Sequence, residues 1–191
     1  MHCLTIAAAL LLLQAPAGPS PDSLVEEVGR LTVAQNNDDR FEAVTAMLRA
    51  RNLPFTVEPF TIEKPVGKEP RTRGRNVVVS LGEGPEEILV GAHYDAVRLP
   101  DGSLSGGAVD NGGSTVMLVH LAEALRAARL PVRVRLVWFD MEELGLLGSA
   151  RYVEAHSSDR ILAMLNFDIN AYGDTVLFGP PVGETTRGWD A

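Results

Sequence analysis

The sequence is poor in cysteine, since Cys3 is the single cysteine among 191 residues. This residue lies in an N-terminal segment that we expect to be removed from the mature protein. The mature chain would then contain neither a disulfide bond nor a reactive thiol, which excludes catalysis by a cysteine nucleophile.

Long apolar runs are also lacking. The N-terminal run Leu4–Leu13 has ten residues, too few to cross a bilayer as a helix. It precedes Ala15-Pro16-Ala17, and an apolar run followed by small residues is typical of a secretory signal peptide, although no Lys or Arg precedes the run. We therefore predict a signal peptide over residues 1–17, a mature domain over residues 18–191, and a secreted or periplasmic protein that is not held in a membrane.

Basic residues are scarce relative to acidic ones. The chain has 17 Lys and Arg against 25 Asp and Glu, a formal net charge of −8. A nucleic-acid-binding protein would be expected to carry a basic face, so this balance argues against such a partner. The length and the hydrophobic content of 46% are those of one α/β domain with a real core.

The hydrophobic pattern predicts alternating strands and helices. Such alternation favours an α/β fold with a mixed, mostly parallel sheet flanked by helices. Two helices over Ser23–Asn52 are separated by a turn at residues 36–39, where Asn37 or Asp38 would cap the second helix. The Pro- and Arg-containing segment Lys64–Arg75 is predicted to be a solvated loop. The predicted strands are Phe55–Ile62, Asn76–Leu81, Ile88–Gly91, Val132–Phe139 and Ile161–Phe167, and the later helices are Ser114–Ala128 and Leu146–His156.

Metal-binding side chains follow three of the predicted strands. His93 and Asp95 come after the Ile88 strand, Glu142-Glu143 after the Val132 strand, and Asp168 after the Ile161 strand, which is expected to be a core strand. Because ligands of open α/β sheets gather beyond the carboxyl ends of strands, we expect these groups to meet. Nitrogen and oxygen ligands suit zinc, with manganese or cobalt as alternatives. The competing interpretation is a coincidental acidic rim.

His93, Asp95 and Asp110 each allow a functional and a structural interpretation. His93 and Asp95 are two residues apart and would point to the same side of an extended chain. His93 could then bind metal while Asp95 accepts its other ring N–H, or the two could form a buried structural pair. Asp110 lies in the Gly-rich segment 105–114, where it could bridge two cations or cap the following helix.

Glu142 and Glu143 are adjacent, so a shared site requires the backbone to turn there, as Gly145 would permit. One carboxylate could then bind metal while the other takes a proton from water. The alternative is a pair of solvent-facing acids at a helix start. Asp168 lies between Phe167 and Ile169, where burial without a partner would be costly. His120 and His156 are expected to be structural or surface residues.

Four stretches together resemble family twenty-eight of the metallopeptidases, the co-catalytic zinc aminopeptidases of the MH clan. They are GAHYDAV (91–97), GAVDNGGST (107–115), FDMEELGLLGS (139–149) and LNFDIN (165–170). The resemblance covers about residues 75–170. It implies a zinc-exopeptidase fold of the phosphorylase/hydrolase-like type, peptide substrates and two zinc ions.

The resemblance also implies a role for each matching residue. Asp110 would bridge the two zinc ions, His93 and Asp168 would complete the protein ligands of one, and Glu143 would bind the other. Glu142 would act as general base and acid, with Asp95 supporting His93. The peptide bond after Asp110 would be cis.

The C-terminal part departs from the family pattern. Family members supply a further histidine to the second zinc downstream of the last Asp motif, and none of the 23 residues after Asp168 is histidine. We therefore expect a fold that is incomplete at the C-terminus, with an incomplete second zinc site.

Two other functions remain open at this point. A glutaminyl-cyclase-like transferase would use one zinc ion and cyclise an N-terminal glutamine. A non-catalytic relative, or an inactive fragment, would keep the fold without the reaction. Side-chain preference, amino- or carboxypeptidase polarity and oligomeric state are not determined by the sequence.

Overall fold

The computed structural model describes residues 18–170 and Gly173. The predicted signal peptide, residues 1–17, lies outside this part of the chain. None of the described helices combines the length and apolar character needed to span a membrane. The elements are α1 (Pro21–Thr32), α2 (Asn37–Ala50), β1 (Thr56–Thr61), β2 (Arg73–Leu81), β3 (Glu86–His93), an irregular turn (Ala108–Gly112), α3 (Gly113–Arg126), β4 (Arg133–Phe139), α4 (Leu147–Ala155) and β5 (Arg160–Asn166).

The five described strands form one mixed sheet in the order β1-β2-β4-β3-β5. β2 is antiparallel to both of its neighbours, whereas β3 is parallel to β4 and to β5. Four strands therefore run in one direction and β2 runs in the other, which confirms the predicted mixed, mostly parallel sheet. His93 pairs with Phe139, and Gly91 pairs with Asn166. The carboxyl ends of β3, β4 and β5 consequently lie at the same edge of the sheet.

Helices cover both faces of this sheet. The strand β4 shows the division clearly, because Val134, Leu136 and Trp138 belong to the large core shared with α1, α2 and α3. The intervening residues Val137 and Phe139 pack in a second cluster with Tyr152 of α4. This alternation is what a strand buried on both faces requires, since successive side chains point to opposite sides.

Among the predicted helices and strands, one cap and one burial were wrong. The cap of α2 is Asn36, whose side chain accepts a hydrogen bond from the backbone N–H of Asp39 at 2.9 Å. Several adjacent Asn and Asp residues suit this position equally well, so composition alone could not select one. β5 is not a core strand, because all seven of its residues are exposed and it pairs only with β3 within the described chain.

Candidate metal centre

His93 is the last residue of β3, and its side chain is 2% exposed. The Nδ1 atom lies 3.2 Å from the backbone oxygen of Asp95, and the Asp95 carboxylate is slightly farther away at 3.5 Å. The buried Nε2 atom makes no hydrogen bond in the described part of the chain. A proton on Nδ1 would leave the Nε2 lone pair available for a cation.

Asp110 brings a carboxylate to this nitrogen. Its Oδ1 atom lies 3.1 Å from Nε2 of His93, and its side chain is half exposed. The residue is in the irregular turn Ala108–Gly112, which lies inside the Gly-rich segment and directly precedes α3. The Asp110–Asn111 peptide bond is cis, as the family resemblance implied.

Asn111 connects Asp110 to the Asp168 segment and was not singled out in the sequence. Its side chain is buried, and it donates to the Phe167 carbonyl at 2.9 Å and accepts from the Ile169 N–H at 3.3 Å. These bonds fix the backbone on both sides of Asp168. The Oδ1 atom of Asp168 consequently lies 3.6 Å from Nε2 of His93. The Asp168 side chain is 43% exposed, so it is not buried without a partner.

Glu142 and Glu143 follow β4 in a tight turn. The turn begins at Met141, which has a positive φ of 55°. The backbone N–H groups of Glu142 and Glu143 donate to the two oxygens of the Asp95 carboxylate at 3.0 and 3.2 Å. The side chains then face the centre: Oε2 of Glu142 is 3.8 Å from Nε2 of His93. Glu143, His93 and Asp110 each offer one possible ligand atom, and these three atoms lie within 4.8 Å of one another.

A buried ion pair supports the base of this turn. Asp140 receives two hydrogen bonds from the Arg71 guanidinium, each at 3.1 Å, and one from the Arg75 N–H at 3.0 Å. Arg71 also bonds to Glu69, which is buried. The prediction that residues 64–75 form only a solvated loop was therefore wrong in its C-terminal half. The local sequence of this Pro- and Gly-containing segment does not indicate that its Arg side chain pairs with an Asp 69 residues away.

The side chains of the centre carry an excess of negative charge. Burial lowers the pKa of His93, but the neighbouring carboxylates of Asp95, Glu142 and Asp168 outweigh it and raise the pKa to about 9. Burial and the charge of Asp110 raise the pKa of Glu143 to about 7. Burial also raises the pKa of Glu142. Carboxylates crowded in this way are stabilised by a bound cation.

The donor set fits a divalent metal ion. A buried imidazole nitrogen with no hydrogen bond to any described residue is surrounded by carboxylate oxygens of Asp110, Asp168 and Glu143. One nitrogen ligand with several oxygen ligands is compatible with zinc. The geometry brings together all six residues selected from the sequence, with Asp95 contacting the backbone of the glutamate turn.

The other two described histidines belong to separate polar clusters. His120 of α3 lies 2.8 Å from Glu27 of α1. His156 follows α4 and contacts Asp159 at 2.8 Å. Each has carboxylate neighbours of its own, as a structural histidine would.

The sequence profile of Peptidase family M28 matches residues 76–188. The aminopeptidase YwaD of Bacillus subtilis is 37% identical over 91 residues, covering 47% of this chain and 19% of that protein. A probable leucine aminopeptidase of Trichophyton verrucosum is 35% identical over 108 residues, covering 51% of this chain and 29% of that protein. The chain therefore spans less than a third of the length of these relatives.

A solved structure shows the same fold. The glutaminyl cyclase of Fimbriiglobus ruber superimposes with a TM-score of 0.66 at 17% identity, covering 78% of this chain and 61% of that protein. At this identity the match establishes the arrangement of strands and helices and leaves the reaction open.

Proposed function

Because this chain belongs to peptidase family M28, we propose that it carries the metal-binding part of a zinc-dependent aminopeptidase, which removes residues from the N-termini of peptides. The two relatives above, each more than 30% identical over the matched segment, are named aminopeptidases. The sequence resemblance leads to the same reaction.

The observation that carries this proposal is the environment of His93 Nε2. This buried atom has no hydrogen-bond partner among the described residues, although Asp110 and Asp168 place carboxylate oxygens 3.1 and 3.6 Å away. An unsatisfied imidazole nitrogen facing two carboxylates would be costly in a purely structural role. A zinc ion would bind this nitrogen and these oxygens, and Glu143 would contribute to the second ion of a pair.

Glu142 is the group that we assign to proton transfer. When bound, zinc acts as a Lewis acid that polarises a carbonyl group and makes water more acidic. Burial raises the pKa of Glu142, so its carboxylate is a stronger base than an exposed glutamate. Glu142 would take a proton from the attacking water and pass it to the departing amine. Asp95 holds the Glu142 backbone and so orients this carboxylate.

Zinc binding and peptide hydrolysis together test this function. Zinc affinity would be measured on the 191-residue chain, and hydrolysis of leucine p-nitroanilide on the protein as its gene encodes it. Glu142→Gln should lower kcat by about 10²- to 10⁴-fold, the usual contribution of a general base, while zinc affinity is retained. Glu154→Gln is the matched control, because Glu154 is an exposed α4 residue paired with Arg151. An enzyme that binds no zinc, or an undiminished rate in Glu142→Gln, would refute the proposal.

The same assay distinguishes a glutaminyl cyclase. A peptide with N-terminal glutamine would be shortened by one residue by an aminopeptidase, whereas a cyclase would release ammonia and keep the peptide length. The number of zinc ions bound, two or one, is a second criterion. Export directed by residues 1–17 also belongs to this proposal.

A further inference from the structure

Arg40 of α2 is fully buried and makes an unusual set of hydrogen bonds. Among the described residues its guanidinium donates to backbone carbonyls alone: Nε to Tyr94, one terminal nitrogen to Leu31 at 3.1 Å and Gly106 at 3.0 Å, and the other to Gly107 at 3.3 Å. Burying a cation costs several kcal/mol unless its donors are satisfied. These bonds therefore stabilise the buried charge.

Three of these four carbonyls, those of Tyr94, Gly106 and Gly107, belong to two segments that carry metal ligands, here called the His93 loop (residues 93–97) and the Asp110 loop (residues 105–112). The fourth carbonyl, that of Leu31, lies in α1. Tyr94 directly follows His93. Gly107 is three residues before Asp110, and its carbonyl also accepts the Gly112 N–H at 2.9 Å. One guanidinium thus joins the loop that supplies the imidazole to the loop that supplies the nearest carboxylate.

The packing around Gly107 leaves little freedom to this connection. Gly107 has a positive φ of 54°, and a Cβ atom there would lie 2.8 Å from the Asp110 carbonyl oxygen and 3.1 Å from a terminal nitrogen of Arg40. Only glycine allows the loop to approach the guanidinium this closely. A lysine would supply one ammonium group. It could not donate to carbonyls in several directions, as the planar guanidinium of Arg40 does.

The charge of Arg40 also suits this location. Burial lowers its pKa to about 10, while the negative charges of Asp95, Glu143 and Asp110 act in the opposite direction. Arg40 therefore stays protonated at neutral pH. Its positive charge favours the deprotonated forms of the neighbouring acids, which are the forms that bind a metal ion.

We propose that Arg40 is a positioning residue that holds the His93 loop and the Asp110 loop in the arrangement that binds the metal ion. This inference rests on the proposed function, because it assigns Arg40 a part in the same centre. It predicts that the loops are organised before the metal binds. The carbonyl bonds of Arg40 would then contribute to metal affinity as well as to folding.

The test compares Arg40→Lys with Arg51→Lys in the 191-residue chain. Arg51 lies at the C-terminal end of the same helix, and its guanidinium bonds to Glu27 and Glu123 instead of to the loops. Zinc affinity would be measured by competition with a chelator at a temperature at which both variants are folded. Arg40→Lys should weaken zinc binding by about 10- to 100-fold, the usual effect of losing a group that orients metal ligands. Arg51→Lys should lower the melting temperature without changing zinc affinity.

A measurement on the wild type covers the case in which Arg40→Lys does not fold. The Gly112 amide should exchange its hydrogen as slowly without zinc as with zinc, because Arg40 fixes its Gly107 acceptor. Rapid exchange that slows only on zinc binding would overturn the inference, as would tight zinc binding by folded Arg40→Lys or an equal loss of affinity in Arg51→Lys. A wild type that binds no zinc would instead refute the proposed function itself.

Discussion

The carboxylate of Asp95 accepts the backbone N–H of Glu142 at 3.0 Å, so a residue that follows β3 fixes the turn that follows β4. The pairing of β3 with β4 continues to the same edge, where the Tyr94 N–H donates to the Phe139 carbonyl at 3.0 Å. Backbone contacts therefore set the separation between His93 and the glutamate side chains. This relation assigns Asp95 a role in positioning the base as well as the imidazole.

Asp95→Asn should disturb this turn while preserving the shape of the side chain. The amide would present an NH₂ group to one of the two backbone N–H donors, because these bond to separate oxygens of the carboxylate. We expect the free energy of unfolding to fall by about 1–3 kcal/mol for the unsatisfied buried donor. Zinc affinity should fall by about 10- to 100-fold. Urea unfolding and chelator competition would measure the two effects.

The control for this substitution is Asp101→Asn. Asp101 also accepts a backbone N–H, from Ser103 at 2.9 Å, but it is exposed. Both measured quantities should stay near their wild-type values in this variant. Unchanged zinc affinity in folded Asp95→Asn would contradict the role of Asp95.

Zinc should stabilise the folded chain through His93. A ligand at one hundred times its dissociation constant adds about 2.7 kcal/mol to the free energy of unfolding, and EDTA should reverse this gain. His93→Gln should abolish the zinc-induced rise in melting temperature, because it removes the nitrogen that faces Asp110. His156→Gln should keep the rise, since His156 contacts Glu58 and Asp159 instead. Equal zinc responses in the two variants would count against a centre at His93.

The position of the candidate centre could be predicted because its residues follow recognisable strands. His93, Glu142 and Asp168 each come shortly after an apolar run, and the parallel arrangement of β3, β4 and β5 brings those strand ends together. The supporting residues could not be found in this way. Arg40 bonds to carbonyls of residues 94, 106 and 107, and Asn111 bonds to the backbone of residues 167 and 169. Such partners leave no periodicity in the sequence.

The exposure of β5 could not be predicted either. The composition of β5 is as apolar as that of β4. A hydrophobic run indicates that a strand can be buried, but it does not indicate which other elements cover the strand. β4 lies between two strands and has buried residues over most of its length. β5 has a described neighbour on one side only. The two strands therefore differ in burial because they differ in their position in the sheet, and that position depends on the whole topology.

Gly148→Ala should destabilise the fold strongly. A Cβ atom on Gly148 would lie 2.1 Å from the backbone oxygen and 2.9 Å from the backbone nitrogen of Asp140, the residue that precedes the glutamate turn. Backbone atoms cannot rotate away, so we expect a loss of about 1–3 kcal/mol or more in the free energy of unfolding. Gly29→Ala is the matched control, because it is helical and has no atom within 4 Å of the added methyl. That variant should gain about 0.5–1 kcal/mol, and chemical denaturation would compare both.

Among the described residues β5 pairs on one side only, and we expect its other edge to make the 191-residue chain self-associate. Leu162 is 56% exposed on this strand, and Ile161, Met164 and Leu165 are exposed beside it. An apolar strand with an unpaired edge is a template for pairing with another chain. Leu162→Lys should reduce the concentration-dependent increase in mass seen by light scattering. Val153→Lys should leave it unchanged, because Val153 is 60% exposed but lies on α4. An equal reduction in both variants would show that net charge, and not the strand edge, controls association.

Glu27 should make stability depend on pH away from the metal centre. Burial raises its pKa, but hydrogen bonds from Arg51 and His120 outweigh this effect and lower the pKa below its usual value of 4.5. The unfolded chain therefore binds the proton more tightly than the folded chain, and the stabilisation by Glu27 is complete above the usual pKa and disappears as the pH falls through the folded value. Glu27→Gln should cost about 1 kcal/mol at neutral pH and nothing in strong acid. Urea unfolding at several pH values would measure the difference in unfolding free energy between each variant and the wild type. For Glu26→Gln, which alters an exposed pair with Arg30, this difference should not vanish in acid in this way. A difference for Glu27→Gln that stays constant with pH would contradict the assignment.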